Sequence, residues 1–141
     1  MRTNMRLVPD HFWAAITIRQ EAEGEPFSSK VAVAEVILRR TRNKYMSDGT
    51  VVGTVLWPMQ FSGWNAHDAT PKHRERIVCA KSDTDEQVVQ DCLRAWTEAE
   101  NGSNTTCDAM IYWNPKISSP KWADKVRIVT RIDKHVFAVP L

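Results

Sequence analysis

No apolar run in the chain approaches the roughly 20 residues that cross a bilayer, so a transmembrane helix is not expected. The basic start, Met1 to Pro9, meets Asp10 and His11 instead of an apolar h-region, so no secretory signal is expected either. Cysteine is scarce. Cys79, Cys92 and Cys107 are odd in number and lack CxxC spacing, which argues against a disulfide scaffold and against a structural zinc site. Excess charge of one sign is also missing: 19 basic against 17 acidic residues leave +2, too little for a strongly basic nucleic-acid binder. There is no internal repeat and no low-complexity segment.

What is present is an ordinary globular chain. A length of 141 residues, 43% hydrophobic and 26% charged, fits one domain spanning 1–141 with one core and no separate binding module. Tryptophan stands out, with six residues, which suits either a rich core or rings that stack on a flat ligand. Charge is unevenly spread: 83–108 is acidic, and the segments before and after it are basic. One solvated acidic helix between two mildly basic surfaces accounts for this; a positive face toward an anionic polymer is the functional alternative.

The periodicity predicts helices first and strands last. Phe12, Trp13, Ile16 and Ala22 recur near helical spacing, with Asp10 as expected N-cap and Gly24 as stop. Ser28 or Ser29 is expected to cap a second helix through Val31–Leu38, apolar nearly all round and therefore central. Its basic end, Arg39, Arg40, Arg42 and Lys44, suits a helix C-terminus. Thr50 to Leu56 reads as a short helix ended by Pro58, and 60–70 as a long loop. Thr84 to Gln87 forms a capping-box pattern before a helix bearing Val88, Val89, Cys92, Trp96 and Ala99 on one side, ended by Asn101-Gly102. Two Asn-x-Ser/Thr matches at Asn101 and Asn104 are read as turn chemistry. Met110–Trp113 and Val126–Val139 have strand composition. The expected class is α+β and mainly helical, with a small C-terminal β portion.

The chemistry starts at Glu21-Ala22-Glu23-Gly24-Glu25-Pro26, where three carboxylates stand at the end of an apolar helix. Burial and like-charge crowding both raise a carboxyl pKa, and a protonated carboxyl is the general acid that glycosidic cleavage needs. A solvated turn is the alternative for the same residues. The loop Gln60-Phe61-Ser62-Gly63-Trp64-Asn65 mixes amides, hydroxyls and aromatics. So does Tyr112-Trp113-Asn114-Pro115 with Ser119-Pro120-Lys121-Trp122, and such mixtures suit the apolar faces and polar edges of sugar rings.

At Glu21-Ala22-x-Gly24-Glu25-Pro26, followed by Lys30-Val31-Ala32-Val33-Ala34-x-Val36-Ile37-Leu38-x-Arg40, the chain resembles the spore cortex-lytic (SleB-type) cell wall hydrolases. The resemblance runs on through Gln60-Phe61-Ser62, Tyr112-x-Asn114-Pro115, Ser119-Pro120-x-Trp122 and His135-x-Phe137. It implies a lysozyme-like fold and cleavage of peptidoglycan between N-acetylmuramic acid and N-acetylglucosamine by a lytic transglycosylase, with the catalytic Glu falling on Glu21. Three positions depart from the family pattern: Glu23 for Arg, Arg39 for Asn, and Asp133 for Gly. Glu23 sets an extra negative charge next to the presumed acid, and the other two read as peripheral.

On this reading Glu21 protonates the glycosidic oxygen and the sugar's own 6-hydroxyl completes the reaction. A hydrolytic muramidase would need a second carboxylate, for which Glu25 is the nearest candidate; a structural carboxylate is the alternative for Glu25. Gln60, Ser62 and Tyr112 are candidates to orient Glu21 or an N-acetyl group, and Asn114 to bind substrate. Phe61, Trp64, Trp113 and Trp122 are candidates to line subsites. His135, in an apolar stretch, reads as a core histidine sooner than as a catalyst. No cofactor and no metal are expected: Cys79 or Cys107 with His135 lacks a nucleophile context, and His67, Asp68 and His73 lack a ligand pattern. The expected partner is a peptidoglycan glycan strand, with no nucleic acid, no stable membrane association and a monomeric protein. The expected setting is that of a phage endolysin, held in the host cytoplasm and reaching the wall once the membrane is opened. A non-catalytic wall-binding module is the alternative of another class.

Overall fold

The computed structural model describes residues 8–58, 60, 61, 64 and 86–141. Among these, four helices precede a three-stranded sheet: α1 (Asp10–Ala22), α2 (Phe27–Asn43), α3 (Val51–Val55), α4 (Gln87–Glu100), β1 (Ile111–Trp113), β2 (Val126–Ile132) and β3 (His135–Pro140). The sheet is antiparallel in the order β1-β3-β2, so the last strand lies in the middle. Tyr112 faces Phe137 across β1 and β3, and Ile132 faces His135 at the β2–β3 turn.

α1 has no polar face to speak of: Trp13 to Ile18 and Ala22 are all buried. It is a core helix, wrapped by α2, α3 and α4. α2 is buried continuously from Ser29 to Ile37, as its unbroken apolar run predicts, and it takes Lys30 and Glu35 inward with it. α4 is the amphipathic member and turns Val89, Cys92, Ala95, Trp96 and Ala99 inward. Trp13, Trp64 and Trp96 belong to the main core, where the rings of Trp13 and Trp64 lie 5.5 Å apart. Thr17 Oγ1 donates to Trp13 O and accepts from Trp64 Nε1, closing that cluster. A second cluster, Ala32, Val36, Ala109 and Phe137, joins α2 to the sheet.

Several helix ends differ from expectation. Asp10 is the first residue of α1 and makes no cap bond; Pro9 holds the N-cap position. Pro26, not Ser28 or Ser29, precedes α2. Fixed φ at proline starts both helices without a side-chain cap. α4 begins at Gln87 with Glu86 at its N-cap; Thr84 and Asp85 lie outside the described residues. Thr50 does cap α3, Oγ1 accepting from Gly53 N–H at 2.9 Å. A Cβ at Gly53 would run into the Asp48 carboxylate, so a larger residue there must displace that side chain from Thr50. The segment Val126–Val139 is a hairpin, not one strand. Asp133 turns it at φ 52, a left-handed conformation that glycine adopts without strain and Asp tolerates. The departure at Asp133 thus sits where the family's glycine has a backbone reason.

Candidate active site

Glu21 stands in the last turn of α1, where the helix leaves the core, and is half-buried. The turn behind it is closed by Glu25 N–H donating to Ala22 O. Lys30, buried in the first turns of α2, inserts its ammonium beneath that turn and donates to Ala22 O at 3.0 Å, Glu23 O at 3.3 Å and Glu25 O at 2.6 Å. These carbonyls lie at and just past the end of α1, where backbone partners run short, and Lys30 supplements the Glu25 N–H bond to Ala22 O. A charged residue inside the apolar α2 run was the available sign of this role.

Tyr112 comes from β1. Its hydroxyl donates to Glu21 Oε1 at 2.5 Å, joining residues 91 positions apart. Burial is the main influence on Glu21 and raises its pKa; the Tyr112 hydrogen bond opposes this, and the negative charge of Glu25 adds to the rise. Burial and the nearby Glu21 push the Tyr112 phenol well up in turn. The side chain of Glu23 is exposed and paired with Arg19 at 3.2 Å, so its extra charge is spent at the surface. Arg19 also holds Glu86 at 2.8 Å, tying α1 to the start of α4.

Glu21 opens into a cleft of ≈330 Å³ between the helical body and the sheet. Among the described residues Arg40, Phe61, Tyr112, Trp122 and Lys125 share its lining, with Gln60, Tyr45 and Met46 beside them. Glu21 is the one carboxylate in that lining. The Arg40 guanidinium donates to Tyr45 O and Met46 O and lies 5.2 Å over the Phe61 ring, so an end of α2 read only as basic also builds a cleft wall.

The remaining candidates fall elsewhere. Trp64 is 2% exposed and bonded to Thr17, a core residue and not a subsite wall; its place in an aperiodic segment gave no sign of that burial. Asn114 uses its side chain on Lys116 N–H and its carbonyl on Ile117 and Ser118, which makes it a turn residue outside the cleft lining. Trp113 is half-buried and supports Trp122 edge-on at 5.3 Å from behind. Ser62 lies outside the described residues, as do His67, Asp68, His73 and Cys79. Burial pushes the Cys92 thiol up to about 11, which suits a core residue; Cys107 is exposed in a turn. Glu25 approaches His135 from behind the cleft, Oε1 to Nδ1 3.1 Å, with both side chains largely buried.

Away from the cleft, Glu35 accepts five hydrogen bonds from Ser103, Thr105 and Thr106. Arg39 donates to Asn104, Thr106 and Ala109. The two Asn-x-Ser/Thr segments are therefore a structural loop clamped to α2, and Arg39 is one of its clamps, not a peripheral substitution.

The pattern of the cell wall hydrolase family matches residues 24–138, a stretch that begins just after Glu21. The spore cortex-lytic enzyme of Bacillus subtilis is 29% identical over 117 residues, covering 83% of this chain and 33% of that protein. The spore cortex-lytic enzyme of Oceanobacillus iheyensis is 30% identical, covering 83% and 37%. The chain thus spans about a third of the length of these curated relatives. Among solved structures, the catalytic domain of the germination-specific lytic transglycosylase SleB from Bacillus anthracis superposes with a TM-score of 0.71 at 27% identity, covering 94% of this chain and 100% of that one. The catalytic domain of the Bacillus cereus SleB protein gives 0.69 at 27% identity, with 92% and 89% covered. The fold is accordingly the expected lysozyme-like one, mainly helical with a small C-terminal sheet.

Proposed function

This chain belongs to the cell wall hydrolase family, and from that premise we propose that it cleaves the β-1,4 bond between N-acetylmuramic acid and N-acetylglucosamine as a lytic transglycosylase, with Glu21 as general acid and base. The glycan strand lies along the cleft against Trp122, which is exposed, whereas Phe61 is buried and only floors the cleft from the core. Glu21 gives its proton to the glycosidic oxygen as the C1–O bond breaks. The 6-hydroxyl of the same muramic acid then bonds to C1, and Glu21 takes that hydroxyl's proton back. Two products result, one new 4-hydroxyl end and one 1,6-anhydro end, and no water is consumed.

One observation carries this reading. A single carboxyl, Glu21, lines the cleft among the described residues, and its burial favours the proton-bearing form. Glu25, the second carboxylate that a hydrolytic muramidase would use, turns toward His135 and is absent from the lining. A one-carboxylate route needs only what the cleft offers.

Glu21→Gln is expected to lower release of soluble muropeptides from sacculi by about 10²–10⁴-fold while sacculus binding in a sedimentation assay persists. Mass spectrometry of wild-type products should show anhydro ends, lighter by one water than hydrolysed ends. Hydrolysed ends would support the muramidase alternative, and unchanged release by Glu21→Gln would leave a wall-binding module.

For its setting we propose that of an endolysin: a monomer made in the host cytoplasm, with the glycan strand as partner. No described helix is long and apolar enough to cross a membrane. On the endolysin reading, expression in bacteria should leave cells intact until the inner membrane is permeabilised, and turbidity should fall only then.

A further inference from the structure

Behind the cleft lies a connected set of side chains that the reaction written above leaves unused. Glu25 is held at its backbone by Lys30, whose ammonium donates to the Glu25 carbonyl. Its side chain is 11% exposed, and its Oε1 lies 3.1 Å from Nδ1 of His135, itself 13% exposed. The approach is a close polar contact and not an aligned hydrogen bond, and Glu25 Oε1 has no hydrogen-bond partner among the described residues. The imidazole is therefore the group that answers this buried oxygen. His135 also meets the Tyr112 ring edge-on at 5.3 Å, and Tyr112 donates to Glu21. A buried carboxylate oxygen left without a polar partner is costly, so the imidazole beside it holds the Glu25 side chain in this place.

We propose that His135 is a positioning residue for the glycosidic reaction: its imidazole fixes the Glu25 carboxylate behind Glu21 and out of the cleft, as a stationary negative charge next to the general acid. The proposal rests on the glycosidase reading of Glu21. The groups around the pair come from every neighbouring element: Tyr112 from β1, His135 from β3, Arg40 from α2 acting on Tyr112, and Lys30 from α2 on the Glu25 carbonyl. Of these, Glu25 is the one whose charge favours a proton on Glu21.

Two ways for His135 to act have opposite signs. If it clamps Glu25, its loss lets that carboxylate move away, Glu21 ionises more readily, and the descending limb of kcat/KM against pH moves to lower pH. If it acts on Glu21 directly as a cation, its loss moves the same limb to higher pH. A merely structural histidine would leave the limb in place.

The test measures kcat and KM for dye-labelled sacculi across pH in Glu25→Gln, His135→Phe, His135→Asn and the Glu25→Gln/His135→Phe double variant. Phe keeps a ring edge-on to Tyr112 and loses the imidazole; Asn keeps a donor near the Nδ1 position. Glu25→Gln and His135→Phe should each move the descending limb down by roughly half to one pH unit. Each should lower kcat by about tenfold or more with KM within about twofold. The double variant should do no worse than Glu25→Gln, His135→Asn should recover part of the loss, and all should still release anhydro ends. An upward or absent movement in His135→Phe, or additive losses in the double variant, would overturn the proposal. If His135→Phe fails to fold, Glu25→Gln and His135→Asn carry the test: a limb unmoved by Glu25→Gln, or an upward movement in His135→Asn, is equally fatal. Unchanged lysis in Glu21→Gln would instead remove the glycosidase reading on which the proposal stands.

Discussion

Tyr112 and the burial of Glu21 pull in opposite directions: the hydroxyl stabilises the carboxylate, and desolvation favours the acid. In Tyr112→Phe only burial and Glu25 remain, so the Glu21 pKa rises further. The descending limb of kcat/KM should therefore move to higher pH, by on the order of one unit if about 1.4 kcal/mol of preference for the charged form is lost. A pH–rate profile on labelled sacculi checks both sign and size. Opposite movements in Tyr112→Phe and Glu25→Gln would show that the two neighbours tune one proton from two sides. At this scale the burial of Glu21 at the cleft was legible because the carboxylate stands where an apolar helix runs out. Trp64 and Asn114 were not, because a polar-aromatic stretch looks the same whether its rings meet sugar or core. Lys30 and Arg40 were visible only as charges on a buried helix, which says that partners exist and not which ones.

Among the elements, α2 does the most. One side of it supplies Lys30 under the Glu21 turn and Arg40 to the cleft, and another supplies Glu35 to the loop 103–106. Burial alone would raise the Glu35 pKa, but the bonds from Thr106, Thr105 and Ser103 outweigh it and hold the carboxyl below its ordinary range. A lowered folded pKa adds stability that is present above the unfolded value and is lost as pH falls through the folded one. Glu35→Gln should therefore destabilise the protein by at least about 2 kcal/mol at neutral pH. Its difference from the wild type should shrink below about pH 4, in urea melts at several pH values. The helices themselves were readable from period and length. The caps of α1 and α2 were not, because Pro9 and Pro26 set backbone angles without the hydroxyl or carboxylate that marks a cap, whereas Thr50 at α3 carries one. Strand composition over Val126–Val139 did not show where the hairpin turns, because Asp133 makes the turn in a conformation usually signalled by glycine.

For the whole molecule, the contact that matters is between the helical body and the sheet. Phe137, 1% exposed, packs with Ala32, Val36 and Ala109, and its ring lies 5.4 Å from that of Tyr112. Phe137→Ala should cost about 3–5 kcal/mol and keep a single calorimetric transition, since one cluster bridges both layers. Sacculus lysis should fall more steeply with temperature than in the wild type. The overall class was legible from the order of periodic segments, whereas the cleft was not, since it exists only where α1, α2 and the sheet converge. That convergence has a consequence for biosynthesis. Glu21 is translated early, but the phenol it bonds follows 91 residues later and the imidazole beside Glu25 later still. A nascent chain stopped short of its final strand carries Glu21 without the strand that β1 and Tyr112 pair with, so the setting of that carboxyl is completed last.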